Sequence, residues 1–163
     1  MKKLIVLPVI FTAMFLAACS ELRNSPEGEF LLGNLYSDSN ESGETYSIIL
    51  PIEWTGEEPA VISSIELVKE EDAPVNFDED GIAYEFYGAD PLKKTGLYSG
   101  DHNIGEVKDI NGFKVQGESR IVAEILLGEV KEDERRKAKI TYTIDGEEYE
   151  EMVKWDTFEE LST

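Results

Sequence analysis

The sequence contains very few of the side chains that carry out nucleophilic, redox and transition-metal chemistry. Among its 163 residues there is one cysteine, Cys19, and one histidine, His102. A single cysteine cannot form an internal disulfide, and a single histidine cannot build a histidine-rich zinc or copper site. The sequence has no Gly-x-Ser-x-Gly nucleophile elbow, and we interpret His102 as a loop residue. These shortages predict a protein without catalytic residues.

Positive charge is also scarce. Lysine and arginine together number 15, against 35 aspartates and glutamates, which gives a formal net charge of −20. Nucleic-acid binding depends on clustered Lys and Arg side chains that neutralise phosphates, so no nucleic-acid partner is expected. The same charge would repel the body of the protein from anionic lipid. High net charge of one sign keeps proteins soluble, and from it we expect a monomer.

Long apolar runs are missing except at the N-terminus. Residues 4–18 are mostly apolar, but this run falls short of the roughly 20 apolar residues that a membrane-spanning helix needs. Lys2 and Lys3 precede the run and small residues close it, which is the pattern of a secretory signal peptide. A freely secreted protein and an uncleaved anchor are the alternatives.

The end of this run carries a specific motif. Residues 16–19 are Leu-Ala-Ala-Cys, which resembles the lipobox of bacterial lipoproteins. The resemblance implies a signal peptide over residues 1–18, a lipid on the sulfur of Cys19 and a location on the extracytoplasmic face of the cell membrane. Removal of the two signal-peptide lysines would change the net charge to 13 − 35 = −22. Residues 19–29 are polar and predict a flexible tether between lipid and domain.

Alternating apolar and polar residues fill residues 30–163 and predict β-strands. Turn-forming residues separate these segments roughly every 8 to 12 positions, as in sandwiches and barrels. We therefore expect one all-β domain, a single antiparallel sandwich of about seven or eight strands. In architecture it resembles the immunoglobulin-like domains of bacterial surface proteins, although the Cys…Trp…Cys core of antibody-type domains is absent.

Three local patterns give more specific expectations. Pro51 lies within the clearest strand and lacks an N–H, which favours an edge strand or a bulge. Residues 111–112 (Asn-Gly) and 145–146 (Asp-Gly) are hairpin dipeptides, so each is expected to join two paired strands. Residues 131–137 are all charged and predict a turn between two strands.

An acidic turn is the best candidate metal site. Asn76, Asp78 and Asp80 place oxygen-bearing side chains at the first, third and fifth positions of a calcium loop, and Gly81 stands at the sixth. The twelfth position, where such loops carry a bidentate glutamate, is Tyr87. The alternative interpretation is a tight turn rich in Asp and Gly that binds no metal. Calcium is the one cofactor that this pattern suggests.

Two tyrosines and one long irregular segment suggest a binding surface. Tyr87 and Tyr98 lie out of phase with the predicted core or in a loop, where they could contact a partner. Residues 88–103 form the longest irregular stretch, and such loops are often functional. We expect a non-catalytic domain that binds an unidentified envelope or extracellular protein or glycan. The alternative is a calcium- or glycan-binding module that uses residues 76–81 or 88–103, and a carboxylate-based hydrolase is the third.

Overall fold

The structure, a computed structural model, describes residues 26–37, 40–89, 94–99 and 104–163. In this part of the chain, ten strands form two antiparallel sheets, and the helical structure is limited to two four-residue helices and one 3-10 turn. The predicted all-β antiparallel sandwich is confirmed. The strand number exceeds the expected seven or eight. Four strands have only three or four residues, and one of them, at residues 96–99, lies in the segment that was predicted to be irregular. No helix among these residues is long and apolar enough to cross a membrane.

The chain passes back and forth between the two sheets. The strands are β1 (Phe30–Leu32), β2 (Thr45–Trp54), β3 (Ala60–Val68), β4 (Ile82–Ala89), β5 (Gly96–Ser99), β6 (Val107–Asp109), β7 (Phe113–Val115), β8 (Gly117–Leu127), β9 (Lys137–Ile144) and β10 (Glu147–Lys154). The helices are α1 (Phe77–Asp80) and α2 (Asp156–Glu159), and the 3-10 turn is Glu70–Asp72. One sheet has the order β1-β2-β8-β4-β6 with β5 also paired to β2, and the other has the order β10-β9-β3-β7.

The hydrophobic core lies between the sheets and follows the predicted alternation. The inward apolar side chains of β2 and β8 are buried: Tyr46, Ile48, Leu50, Ile52, Trp54, Ile121, Ala123, Ile125 and Leu127. Burying an isoleucine or leucine side chain stabilises a fold by about 1.5–3 kcal/mol. These two strands are neighbours at the centre of the six-stranded sheet, and they supply the core with its longest apolar face.

Aromatic side chains of the core form two groups. Phe30 lies against Trp54 and Tyr142, with ring centroids 4.8 and 5.0 Å away. In the second group, the ring centroids of Trp155 and Phe158 are 4.7 Å apart. Tilted and edge-to-face ring contacts of this kind add to the free energy gained from burial alone. The first group joins the start of the domain to both sheets.

A β-bulge in β3 overturns part of the predicted alternation. The sequence pattern predicts one shared face for four side chains, Val61, Ser63, Ile65 and Leu67. The pairing of β3 with β9 shifts register between Ile62 and Ser64, so the buried set changes phase there. Ile62 is fully buried, whereas Val61 is only partly buried. An extra residue at a bulge moves the following side chains to the opposite face, which a strict period of two cannot anticipate.

The two hairpin dipeptides have different outcomes. Residues 145–146 join β9 to β10 as predicted, with positive φ angles of 50° and 82° at Asp145 and Gly146. The hairpin predicted around residues 111–112 is wrong, because β6 pairs with β4 whereas β7 pairs with β3. The Asn-Gly turn instead carries the chain from one sheet to the other.

Pro51 occupies a position that its missing N–H explains. β2 is an inner strand in continuous register with β8, so the prediction of an edge strand or a bulge is wrong. The carbonyl of Pro51 accepts the N–H of Gly33 at 2.9 Å, just beyond the end of β1. In a regular ladder the carbonyl of Gly33 would accept the backbone N–H of residue 51, but proline has none. This carbonyl instead accepts the indole N–H of Trp155 at 2.9 Å. The proline therefore frees an acceptor for a buried tryptophan.

Candidate functional site

The predicted calcium turn is a capped single turn of helix. The side chain of Asn76 accepts the N–H of Glu79 at 3.0 Å, which makes Asn76 the N-cap of α1. Gly81 ends α1 in the left-handed region, with φ at 70°. Asp80 receives two donors: Lys69 Nζ at 2.8 Å and the N–H of Asn76 at 3.0 Å. An asparagine with a glutamate three residues later matches the spacing of a capping box, although here Asp80 rather than Glu79 accepts the N–H of Asn76.

These contacts engage the oxygen atoms on which a calcium site would depend. Of the three candidate ligands Asn76, Asp78 and Asp80, the first and the last have partners within the turn or on Lys69. Across residues 26–37, 40–89, 94–99 and 104–163, no group of three or more His, Cys, Asp and Glu side chains could hold a metal ion. Calcium binding at this turn stays a prediction that no contact in the structure favours.

Tyr87 and Tyr98 lie on the outer face of the six-stranded sheet. There they pack against a small apolar cluster of Ile49, Ala89 and Val122, each at most 2% exposed. Both rings are partly buried, and they shield this cluster from solvent. The segment 88–103 is not wholly irregular as predicted, because residues 88–89 end β4 and residues 96–99 form β5. Cys19 and His102 lie outside the described residues.

The hydroxyl of Tyr87 is held by its own strand. It donates a hydrogen bond to Glu85, and this bond together with partial burial raises the pKa of Tyr87 to about 12. Glu85 in turn lies directly opposite Glu124 on β8. Like charges in this position are destabilising. The outer face therefore combines an apolar centre with acidic side chains.

The C-terminal segment forms a site that the sequence did not reveal. Arg136 belongs to the run of charges that predicts a turn between two strands, yet it is only 3% exposed. Its guanidinium donates to the carbonyls of Phe158 at 3.0 Å, Leu161 at 3.2 Å and Lys131 at 2.6 Å. Five N–H groups on a planar guanidinium suit this kind of multiple contact. Arg136 thus fixes the last residues of the chain to the sandwich.

An acidic pocket, here called the α2 pocket, lies beside this segment. It has a volume of about 490 Å³ and is lined by Glu132, Glu134, Lys154, Glu159 and Glu160. Glu159 is the buried member, and the three other glutamates are exposed. No periodicity in the sequence brings residues 132–134 beside residues 154–160. The pocket exists because β8 and β9 belong to different sheets and the chain must cross between them.

Lys154 lies across the α2 pocket and is held there by two carboxylates. Its ammonium is 2.7 Å from Asp156 Oδ1 and 3.1 Å from Glu159 Oε2. The hydrogen bond to Asp156, and then that to Glu159, raise the pKa of Lys154. The second oxygen of Glu159, Oε1, is buried and has no hydrogen-bond partner in the described part of the chain. The pocket therefore binds an ammonium group already and leaves one acceptor unused.

A second pocket of about 430 Å³ adjoins the first. The two pockets share Glu132 and Glu160, and the second adds the exposed ring of Tyr36 and the side chain of Asn40. Asn40 donates to the carbonyl of Ser162 at 3.1 Å. The two adjoining pockets therefore give the end of the sandwich around α2 a recessed polar surface.

No protein-family model, no curated protein and no solved structure matches the chain.

Proposed function

We propose that this protein is a membrane-anchored extracytoplasmic lipoprotein whose single β-sandwich binds an envelope or extracellular partner without catalysis. The observation that carries the proposal is the sequence at residues 1–19, a basic start and an apolar run that ends in Leu-Ala-Ala-Cys. Acylation uses the one cysteine, so the remainder of the chain has no thiol chemistry.

The short distance between Cys19 and the fold supports a display role. The first strand begins at Phe30, eleven residues after Cys19. Fully extended, eleven residues span at most about 36–40 Å. The N–H of Phe30 is bound by Glu151 at 3.2 Å, and its ring packs against Trp54. The domain would therefore stand close to the membrane, held at its edge next to β1.

The anchor is tested by replacing the acylated residue. We expect the wild-type chain to incorporate radiolabelled palmitate and to sediment with membranes. Cys19→Ala should lose the label and leave the membrane fraction, because no other cysteine can carry the lipid. Ser20→Ala is the matched control and should behave as wild type.

Two results would contradict the lipid anchor. Wild-type protein that is recovered free in the medium without label would indicate a secreted protein. Cys19→Ala protein that stays in the membrane with an intact N-terminus, alongside unlabelled wild type, would indicate an uncleaved anchor. Mass spectrometry of the N-terminal peptide distinguishes these cases from a processed, acylated Cys19.

A further inference from the structure

The outer face of the six-stranded sheet is a surface for contact with another protein. We propose that it binds a basic segment of a partner protein, whose lysine or arginine side chains meet Glu85 and Glu124 while its apolar side chains pack on tyrosine rings. The proposal rests on the binding role proposed above and adds the surface and the chemistry of the partner. This surface, here called the tyrosine face, consists of Glu85, Tyr87, Tyr98, Val122, Glu124 and Leu126.

Two glutamates form the charged part of the tyrosine face. Glu85 on β4 and Glu124 on β8 lie directly opposite each other, and both side chains are exposed. None of the lysines and arginines that the structure describes lies within ion-pair distance of either carboxylate. Like charges directly opposite each other destabilise a sheet. A cationic side chain from a partner would remove this repulsion.

The outer face of the four-stranded sheet shows the compensation that the tyrosine face lacks. There Lys139 lies between two carboxylates, 3.3 Å from Asp72 Oδ2 and 3.1 Å from Glu150 Oε2. A lysine of the same chain thus neutralises that face. Surfaces that bind each other are complementary in charge, so the uncompensated glutamates favour a basic partner. A second copy of this chain, with its net charge of −20, is the poorer match.

Apolar side chains lie on both sides of the two glutamates. Tyr87 and Val122 face each other at the next outward pair of positions in one direction, and Leu126, which is 38% exposed, lies in the other. The ring of Tyr98 packs against the same small cluster as Tyr87. Tyrosine rings are enriched at protein interfaces, and the aliphatic stems of lysine and arginine pack well on them.

This arrangement favours a peptide segment over a neutral glycan. A segment that alternates basic and apolar side chains can pair with the glutamates and cover the rings at the same time. A neutral glycan would cover the rings but leave Glu85 and Glu124 unpaired. Apolar patches with a polar rim are typical of protein contacts.

Fluorescence anisotropy of labelled peptides with the full chain in a nonionic detergent tests the proposal. The probe is a hexapeptide that alternates lysine and valine. A hexapeptide of lysine and serine carries the same charge without the apolar side chains. We expect the lysine–valine peptide to bind at least about threefold more tightly, because its valines cover apolar surface. Detergent without protein gives the baseline for each peptide.

Substitutions locate the binding on the tyrosine face. Glu124→Gln should weaken binding of the lysine–valine peptide about threefold, and the addition of Glu85→Gln should weaken it further. Glu148→Gln is the matched control, since it removes the same charge from an exposed position on β10, and it should leave the affinity nearly unchanged. Leu126→Ser should weaken binding of the lysine–valine peptide alone.

The results that would overturn the surface are distinct. Equal losses in Glu124→Gln and Glu148→Gln would show attraction by net charge alone. Equal affinities of the two peptides would reject the apolar contact. Binding of a neutral chitin tetrasaccharide that depends on Tyr98 but not on Glu124 would indicate a glycan site. Self-association that Glu124→Gln strengthens would indicate a second copy.

Folding and anchoring are checked separately. Glu124→Gln removes a repulsion and keeps the hydrogen bond between Tyr87 and Glu85, so its Tm should equal or exceed that of the wild type. A folded Glu124→Gln that binds the lysine–valine peptide as well as wild type would reject the proposal. Palmitate labelling is independent of peptide binding, so the lipid anchor can fail or succeed on its own.

Discussion

At the scale of single residues, Glu151 stands out as a charged side chain on the inward face of an edge strand. It lies on β10 between Tyr149 and Val153, which pack against the core. Its two carboxylate oxygens each lie 3.2 Å from the N–H of Phe30. Burial raises the pKa of Glu151, the hydrogen bond from Phe30 lowers it, and the charge of Glu29 raises it. An inward charge at an edge also discourages pairing with another sheet.

The raised pKa of Glu151 predicts how a neutral replacement changes stability with pH. A carboxylate whose pKa is raised on folding destabilises the folded state above that pKa, and the cost disappears below the unfolded value of about 4.3. Glu151→Gln keeps an acceptor for Phe30 and should raise the free energy of unfolding at pH 7 by up to about 1 kcal/mol. Urea unfolding from pH 7 to pH 3.5 should show this gain shrinking to zero.

Glu148→Gln is the control for this titration as well, because it is exposed and should change stability little at any pH. A destabilised Glu151→Gln at pH 7 would contradict the argument. That outcome would mean that the hydrogen bond from the N–H of Phe30 to the ionised carboxylate stabilises the fold by more than burial of the charge costs.

At the scale of elements, one arginine joins the C-terminal segment to the sandwich. Arg136 precedes β9 and binds three carbonyls, two of which belong to the last six residues of the chain. α2 has only four residues, too few to be stable alone, so its position depends on such contacts. The buried rings of Trp155 and Phe158 supply the apolar part of the attachment.

Replacing this arginine should loosen the end of the chain. Arg136→Met fills a similar volume but leaves the three carbonyls without their donor, so we expect a loss of about 2 kcal/mol in unfolding free energy. Hydrogen exchange at residues 158–163 should accelerate more than exchange in β8. Arg136→Lys, which can donate to fewer carbonyls, should lie between. Uniform acceleration throughout the sheets would show that Arg136 supports the whole fold rather than this segment.

Alternation predicted the long strands, and chain crossings between sheets explain what it missed. β2, β8 and β9 bury the predicted faces because each is long enough for the alternation to repeat several times. The hairpin at residues 111–112 was wrong since a favoured turn dipeptide does not state which sheet each arm joins. Arg136 was missed because a run of charges predicts exposure, and only the docked C-terminus supplies the carbonyls that bury it. The α2 pocket likewise lies where the chain crosses from β8 in one sheet to β9 in the other.

At the scale of the whole molecule, negative charge exceeds positive charge more than twofold. The sequence has 35 acidic and 15 basic side chains. Several basic side chains are engaged in ion pairs, such as Lys69 with Asp80 and Arg135 with Asp133. Acidic neighbours remain on the outer face of the six-stranded sheet, where Glu85 lies opposite Glu124. The sum of these repulsions opposes the compact state.

Salt should therefore stabilise this protein. The Debye length falls from about 30 Å at 0.01 M to about 10 Å at 0.1 M, so distant repulsions weaken first while close ion pairs persist. We expect Tm to rise by about 2–5 °C over this range. Glu124→Lys places an opposite charge beside Glu85 and should raise Tm at 0.01 M salt while reducing its salt dependence. A Tm that falls with salt would mean that the ion pairs of Lys154 and Arg135 outweigh the net repulsion, and the acidic surface would then stabilise the fold by pairing.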